Sequence, residues 1–242
     1  KVTATLLYPI GNNAGAVTGV DGTAVVRTNN LGASNQTKDV TADSDPAIAV
    51  SVLDANGWAI PSIAPVATSS NLAVVSAATR MFIDSGVSNP ALLKYSAGTF
   101  VQHYSYTTVA GSTSGASSDL TFTYVNAAGT ALASTAVTVK VGGALAKTVM
   151  TLDKATYAPG SVARLTVTGT DAAGNAAYDG IDVIAGGVES TLAFTAPTTM
   201  KLKGGIKYAD GFAPASPGTW TITAYDAAGR EFTATATVTN LA

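Results

Sequence analysis

The sequence predicts an all-β chain built as two tandem β-sandwiches with an N-terminal β-strand extension. One observation is a short turn written four times: Asp54-Ala55-Asn56-Gly57, Asn126-Ala127-Ala128-Gly129, Asp171-Ala172-Ala173-Gly174 and Asp226-Ala227-Ala228-Gly229. A leading Asp or Asn bonds the backbone two residues on and the glycine takes a positive φ, so each reads as a hairpin tip. A second is strict alternation, as in Thr219-Trp220-Thr221-Ile222-Thr223-Ala224-Tyr225, where one face is apolar and the other carries threonine. The third is duplication. The stretch 119–139 around the second turn parallels 218–239 around the fourth, so each unit closes on the same kind of hairpin.

Residues 1–45 belong to neither copy. They hold two candidate strands, Val2–Tyr8 and Thr23–Thr28, separated and followed by Gly- and Asn-rich loops. An apolar strand of this kind completes the first sandwich or adds to the sheet of a neighbouring molecule, and both remain open. The first sandwich is assigned to 46–143. Its opening strand Ala47–Leu53 runs into the first turn, and Asn71–Phe82 is read as strand because Val74 and Val75 are β-branched, although its alanines would tolerate helix. An insertion relative to the second unit falls around Arg80–Lys94 or in Gly111-Ser112-Thr113-Ser114-Gly115. The second sandwich is assigned to 144–242, with Ala163–Thr170 as its strand into the third turn. Lys201, Lys203 and Lys207 are read as the solvent face of a hairpin tipped by Gly204-Gly205.

Composition narrows the function. Only 12% of residues are charged and the net charge is −2, so there is no basic field for nucleic acid. The absence of cysteine removes thiolate chemistry and points to export without disulfides. No apolar run is long enough for a membrane-spanning helix. The strand-like start Lys1-Val2-Thr3-Ala4 fits removal of a leader just before it.

Candidate chemistry is sparse. His103, the one histidine, sits in an alternating strand with no Gly-x-Ser-x-Gly elbow to accompany it, and is read as a structural or contact residue. Tyr95, Tyr104, Tyr106 and Tyr124 are read as packing residues, with a sugar-stacking strip as the alternative. Two pairs of loop carboxylates, Asp43 with Asp45 and Asp179 with Asp182, are candidate calcium ligands, each competing with an ordinary Asx turn. Asn35-Gln36-Thr37 is a single glycosylation sequon.

The segment Thr151-Leu152-Asp153-Lys154-Ala155-Thr156-Tyr157-Ala158-Pro159-Gly160 resembles the opening of an extracellular immunoglobulin-like domain of the bacterial surface-protein type. Pro159-Gly160 forms a type II turn into the next strand, and Tyr157 is expected on the domain wall. Ser161 stands where that family usually has an acidic or polar residue. The resemblance covers Leu145–Ala242, and the first unit shares only its hairpins. It implies stalk, adhesin or surface-layer modules and brings no catalytic residues. The expected function is a non-enzymatic cell-surface subunit that assembles with copies of itself into a layer or filament. The alternatives are an adhesin or carbohydrate-binding stalk and a phage tail or capsid decoration subunit.

Overall fold

The computed structural model describes residues 1–15, 17–18, 26–28, 34–38, 47–57, 60, 63, 65–84, 101–185, 187–197 and 199–240, some strand positions by backbone alone. Among them the regular structure is strand throughout, in two compact units, Lys1–Val141 and Gly142–Ala242.

The first unit contains β1 (Val2–Leu6), β2 (Ile10–Asn12), β3 (Val17–Thr18), β4 (Val26–Thr28), β5 (Ser34–Lys38), β6 (Ile48–Val52) and β7 (Val66–Ser69). It continues through β8 (Val75–Asp84), β9 (Val101–Thr108), β10 (Ser117–Val125), β11 (Ala131–Ala133) and β12 (Val137–Gly142). One sheet runs β1-β6-β9 with β8 on the other edge of β9 and β3 beside it; the second runs β11-β10-β12-β2 with β7 on β10. This is the A-B-E-D over C-F-G order of an immunoglobulin-type sandwich. β1 pairs along its whole length with β6, from Val2 opposite Val52 to Leu6 opposite Ile48. Alternation sends Ile48, Val50, Val52, Tyr104 and Tyr106 of one sheet against Leu120, Phe122, Val139 and Val141 of the other. Each such side chain contributes about 1.5–3 kcal/mol by leaving water.

The second unit holds β13 (Lys147–Leu152), β14 (Thr156–Tyr157), β15 (Val162–Thr170), β16 (Val188–Ser190), β17 (Ile206–Phe212), β18 (Gly218–Tyr225) and β19 (Glu231–Val238). Its sheets are β13-β15-β17 and β14-β19-β18-β16, with β14 parallel to β19. The first strand therefore divides between the two sheets, β13 in one and β14 in the other. Met150, Leu165 and Val167 pack against Trp220, Ile222, Ala224 and Phe232.

Each of the four turns has the expected local geometry. Gly57, Gly129, Gly174 and Gly229 have φ of 85, 77, 83 and 73°, and Oδ1 of Asp54, Asn126, Asp171 and Asp226 accepts the N–H two residues on at 2.8–3.0 Å. Only the second and fourth cap long hairpins, β10–β11 and β18–β19. The first ends β6, and the third ends β15 and closes a single bridge, Thr170 opposite Ala176, before the chain leaves the sheet. The turn sequence sets the local bend and not the destination of the next strand.

Asn71 begins a turn rather than a strand. Its carbonyl takes the N–H groups of Val74 and Val75, both at 3.0 Å, and β8 starts at Val75. Pro159-Gly160 forms the type II turn, with Gly160 at φ 68° and Ser161 N–H on the Ala158 carbonyl at 3.1 Å. Gly204 and Gly205, at φ 66 and 75°, make a two-residue hairpin of type I′ ahead of β17.

Candidate functional site

Six of the described aspartates, Asp54, Asp153, Asp171, Asp179, Asp182 and Asp226, fasten the chain's own backbone. In the second unit Asp171, 5% exposed, accepts from Ala173 and Asn175 through Oδ1 and from Gly143 N–H through Oδ2 at 2.8 Å. A Cβ on Gly143 would lie 3.0 Å from that Oδ2, so glycine is needed at the entry to the unit. Asp226, 3% exposed, accepts from Ala228 N–H, Arg230 N–H and Arg230 Nε, while the Arg230 guanidinium reaches on to the carbonyls of Leu145 and Ala146. Burial works against the Asp226 charge, but these donors together hold its carboxyl below the usual range. The third and fourth turns thus clasp the segment 143–146 from two sides.

A second cluster lies on the outer face of β13-β15-β17. Asp153 Oδ1 accepts the Arg164 N–H at 2.6 Å and the Tyr157 hydroxyl at 2.7 Å, and in that order these bonds lower its pKa. Tyr157 is pushed up to about 12 by burial first and by its bond to Asp153 second. Tyr157 is 2% exposed, with its ring 5.7 Å from Trp220, so it is a core residue and not part of the domain wall. Its hydroxyl alone reaches the margin, which is how an amphipathic side chain fills an interior position. Arg164 forks onto Asp210, Nε to Oδ1 at 2.6 Å and Nη2 to Oδ2 at 3.0 Å, and its guanidinium stands 5.5 Å from the Tyr208 ring. The bond from Arg164 lowers the pKa of Asp210. Around this ion pair the face is apolar: Val149, Val162, Tyr208 and Phe212 are 41, 62, 51 and 68% exposed. Register groups them, since Val162 is opposite Phe212 and Arg164 opposite Asp210.

Behind the same strand lies a cavity of about 230 Å³. Its walls are Phe194–Pro197, Trp220, Leu152, Leu165 and the Ala209–Gly211 stretch of β17.

Asp43 and Asp45 lie outside the described residues, as does Tyr95. Asp179 and Asp182 are both described and both hold backbone: Asp179 accepts from Gly204 N–H at 2.6 Å, Asp182 from Ile184 and Met200 at 3.0 and 3.1 Å. Among the described residues no group of three or more His, Cys, Asp or Glu is gathered as a metal-holding cluster. The backbone of His103 pairs with Ala49 and Phe82. Tyr104 and Tyr106 are buried, with hydroxyls on the carbonyls of Pro65 and Tyr8, so they are packing residues. Sequence reasoning passed over Arg164, Tyr208, Asp210 and Phe212. The alternation Tyr208-x-Asp210-x-Phe212 was the available signal, but the cross-strand partners that make it a surface are visible only in register.

No protein-family model matches the chain, and no curated protein matches it. Among solved structures it is similar to the D0-D1 domain of intimin, at 15% identity over 80% of this chain and 90% of that one, TM-score 0.32. It is similar also to the Escherichia coli adhesin FdeC, at 16% identity over 98% of this chain and TM-score 0.33, and spans 62% of that chain's length. A third is domains 4 and 5 of the S-layer protein SbsC, at 15% identity over 99% of this chain and 98% of that one, TM-score 0.27. At these scores the likenesses carry no argument about partner or activity.

Proposed function

We propose that the chain is a non-enzymatic, extracellular structural protein, a self-assembling subunit of a surface layer or filament at the cell surface. The observation that carries this reading is the use to which its carboxylates are put. Asp54, Asp153, Asp171, Asp179, Asp182 and Asp226 each accept main-chain N–H groups of neighbouring loops and turns. Groups that elsewhere do acid–base work serve here to stiffen small sandwiches. A chain in which only 12% of residues are charged supports the same reading, because identical neighbours repel one another little. Many weak contacts between rigid units then sum to an assembly. The candidate calcium positions stay those read from sequence, Asp179 with Asp182 and Asp43 with Asp45.

One observation favours a second reading, an adhesin or carbohydrate-binding stalk. Tyr208 and Phe212 are large aromatic side chains exposed together on one face of the second unit. Light scattering and negative-stain microscopy of the chain, with calcium added and with calcium chelated, separate the two. Ordered sheets or filaments support the structural subunit. A stable monomer under every condition overturns it and turns attention to glycan binding at Tyr208 and Phe212.

A further inference from the structure

Among the described residues β17 is flanked by a strand on one side only, and the other side holds a single bridge, Ile206 with Lys203. In the first unit the corresponding strand, β9, has β6 on one edge and β8 along the other. In the second unit β15 takes one edge of β17, and among the described residues no strand runs along the other. The chain that would supply one turns away: Val183 N–H bonds the Met200 carbonyl at 3.0 Å and Leu202 N–H the Ile181 carbonyl at 2.9 Å. What remains beside the edge is the Phe194–Pro197 stretch and the 230 Å³ cavity.

The ladder shows which groups the edge presents. Gly169 N–H bonds the Gly205 carbonyl at 3.0 Å and Ala213 N–H bonds the Ser161 carbonyl at 2.8 Å. Antiparallel ladders alternate, so 207, 209 and 211 turn their backbone groups to β15 and Tyr208, Asp210 and Phe212 turn theirs outward. Ile206 is occupied, since it exchanges bonds with Lys203 across the Gly-Gly tip.

We propose that this edge is a self-association site, at which β17 of one copy pairs antiparallel with β17 of a second copy about a two-fold axis beside Ala209. The inference rests on the self-assembling reading above and names one surface through which it acts. Register selects the occupant. Centred on Ala209, Tyr208 and Asp210 of one copy exchange main-chain bonds with Asp210 and Tyr208 of the other. The ladder is confined to 208–210, because Lys203 of the same chain holds the place beside Ile206 and the second copy's Phe212 must turn out of it there; each Asp210 meets a tyrosine ring instead of its own like charge. Centred on Asp210, the two carboxylates would oppose each other, which is unfavourable. Edge strands are commonly guarded by lysine. Lys207 is the one charge on the inner side of β17, and in this register it faces Gly211 of the second copy, where there is no side chain to meet. Ala209 and Gly211 are also small enough to let a second strand lie beside Phe194–Pro197. Such a contact is isologous and closes on itself, so a lattice would need a second, different surface.

The full chain has no cysteine, which makes cross-linking direct. A non-hydrogen-bonded antiparallel pair has Cα atoms about 4.5 Å apart, within disulfide reach. Ala209→Cys is therefore expected to give a disulfide-linked dimer under mild oxidation, and Lys207→Cys far less. By light scattering, Tyr208→Pro, which removes an outward N–H and spares the bonds to β15, is expected to raise the dimer dissociation constant about tenfold or more. Tyr208→Asp does the same by facing Asp210 of the second copy, while Tyr208→Lys retains association. These last two place opposite charges at one exposed position, so they decide the matter even where the proline variant folds poorly. Self-association unchanged in Tyr208→Pro and Tyr208→Asp, with Ala209→Cys no better linked than Lys207→Cys, overturns this edge and leaves the assembling reading in place. A wild-type chain that is monomeric at every concentration overturns both.

Discussion

The two units close on hairpins of the same composition and the same turn, yet one ladder is unbroken and the other is not. In the second unit β18 and β19 pair without a shift from Gly218 opposite Val238 to Tyr225 opposite Glu231. In the first, β10 pairs with β11 from Val125 opposite Ala131 to Thr123 opposite Ala133, and then with β12 from Leu120 opposite Val137. Two residues on β10, Thr121 and Phe122, therefore face three, Ser134 to Ala136: a β-bulge. Ser134 bridges it by donating its N–H to the Phe122 carbonyl at 2.9 Å and accepting the Phe122 N–H on Oγ at 3.1 Å. The tips differ as well. Asn126 serves as a neutral cap on a half-exposed turn, whereas Asp226 is buried, charged and clasped by Arg230. Both tips carry the same two main-chain bonds to Oδ1, so the first hairpin is set apart by its bulge and the second by the buried charge and Arg230 at its tip.

The sharpest way to break that contrast is Asp226→Ala. It strips the N–H groups of Ala228 and Arg230 of their acceptor and leaves the Arg230 guanidinium without its carboxylate. A loss of about 2 kcal/mol is expected from the second unit. Trp58→Phe leaves Trp220, fully buried there, as the sole indole, so urea denaturation followed by its fluorescence reads the loss directly. Next in size is Ser134→Ala, which orphans the Phe122 N–H inside the bulge; about 1–2 kcal/mol is expected, seen as faster amide exchange at 120–124. Asn126→Ala should cost about 1 kcal/mol or less, because water replaces the amide at an exposed tip. If Asn126→Ala cost as much as Asp226→Ala, the contrast between tips would be void.

How much of this was legible beforehand follows from where the information lies. The turns could be read because Asx bonding and the positive φ of Gly129 or Gly229 are local demands, met by residues adjacent in the chain. The bulge could not be read. Thr130–Val139 and Arg230–Thr239 alternate alike in alanine and threonine, and no residue in Ser134-Thr135-Ala136 announces an extra position. Tyr157 was misplaced for a related reason: a tyrosine before Pro-Gly looks peripheral, and only Trp220, distant in sequence, explains why its ring is interior. The outer face was missed because Arg164 and Asp210 are 46 residues apart and meet only across a ladder. A side chain's role is legible where its partner is a neighbour in sequence, and not where the partner is set by strand register.

The smallest expected effect sharpens the comparison through charge. The folded pKa of Asp226 lies below the usual carboxylate range, because the Arg230 and Ala228 donors outweigh the cost of burial. The folded state then binds fewer protons than the unfolded state between the two values, so this contribution is complete above the unfolded pKa and is lost as the pH falls through the folded one. Asn126 does not titrate. Urea midpoints reported by Trp220 should therefore fall as the pH is lowered from about 5 to about 3. Asp226→Asn keeps the Oδ1 acceptor and abolishes that part of the slope. A residue of the slope persists, since Asp153 and Asp210 in the same unit are also lowered, by the Arg164 N–H and the Arg164 side chain respectively. An unchanged slope in Asp226→Asn would mean that the tip of the second hairpin is held by geometry alone, as the tip of the first is, and that the buried charge adds nothing to it.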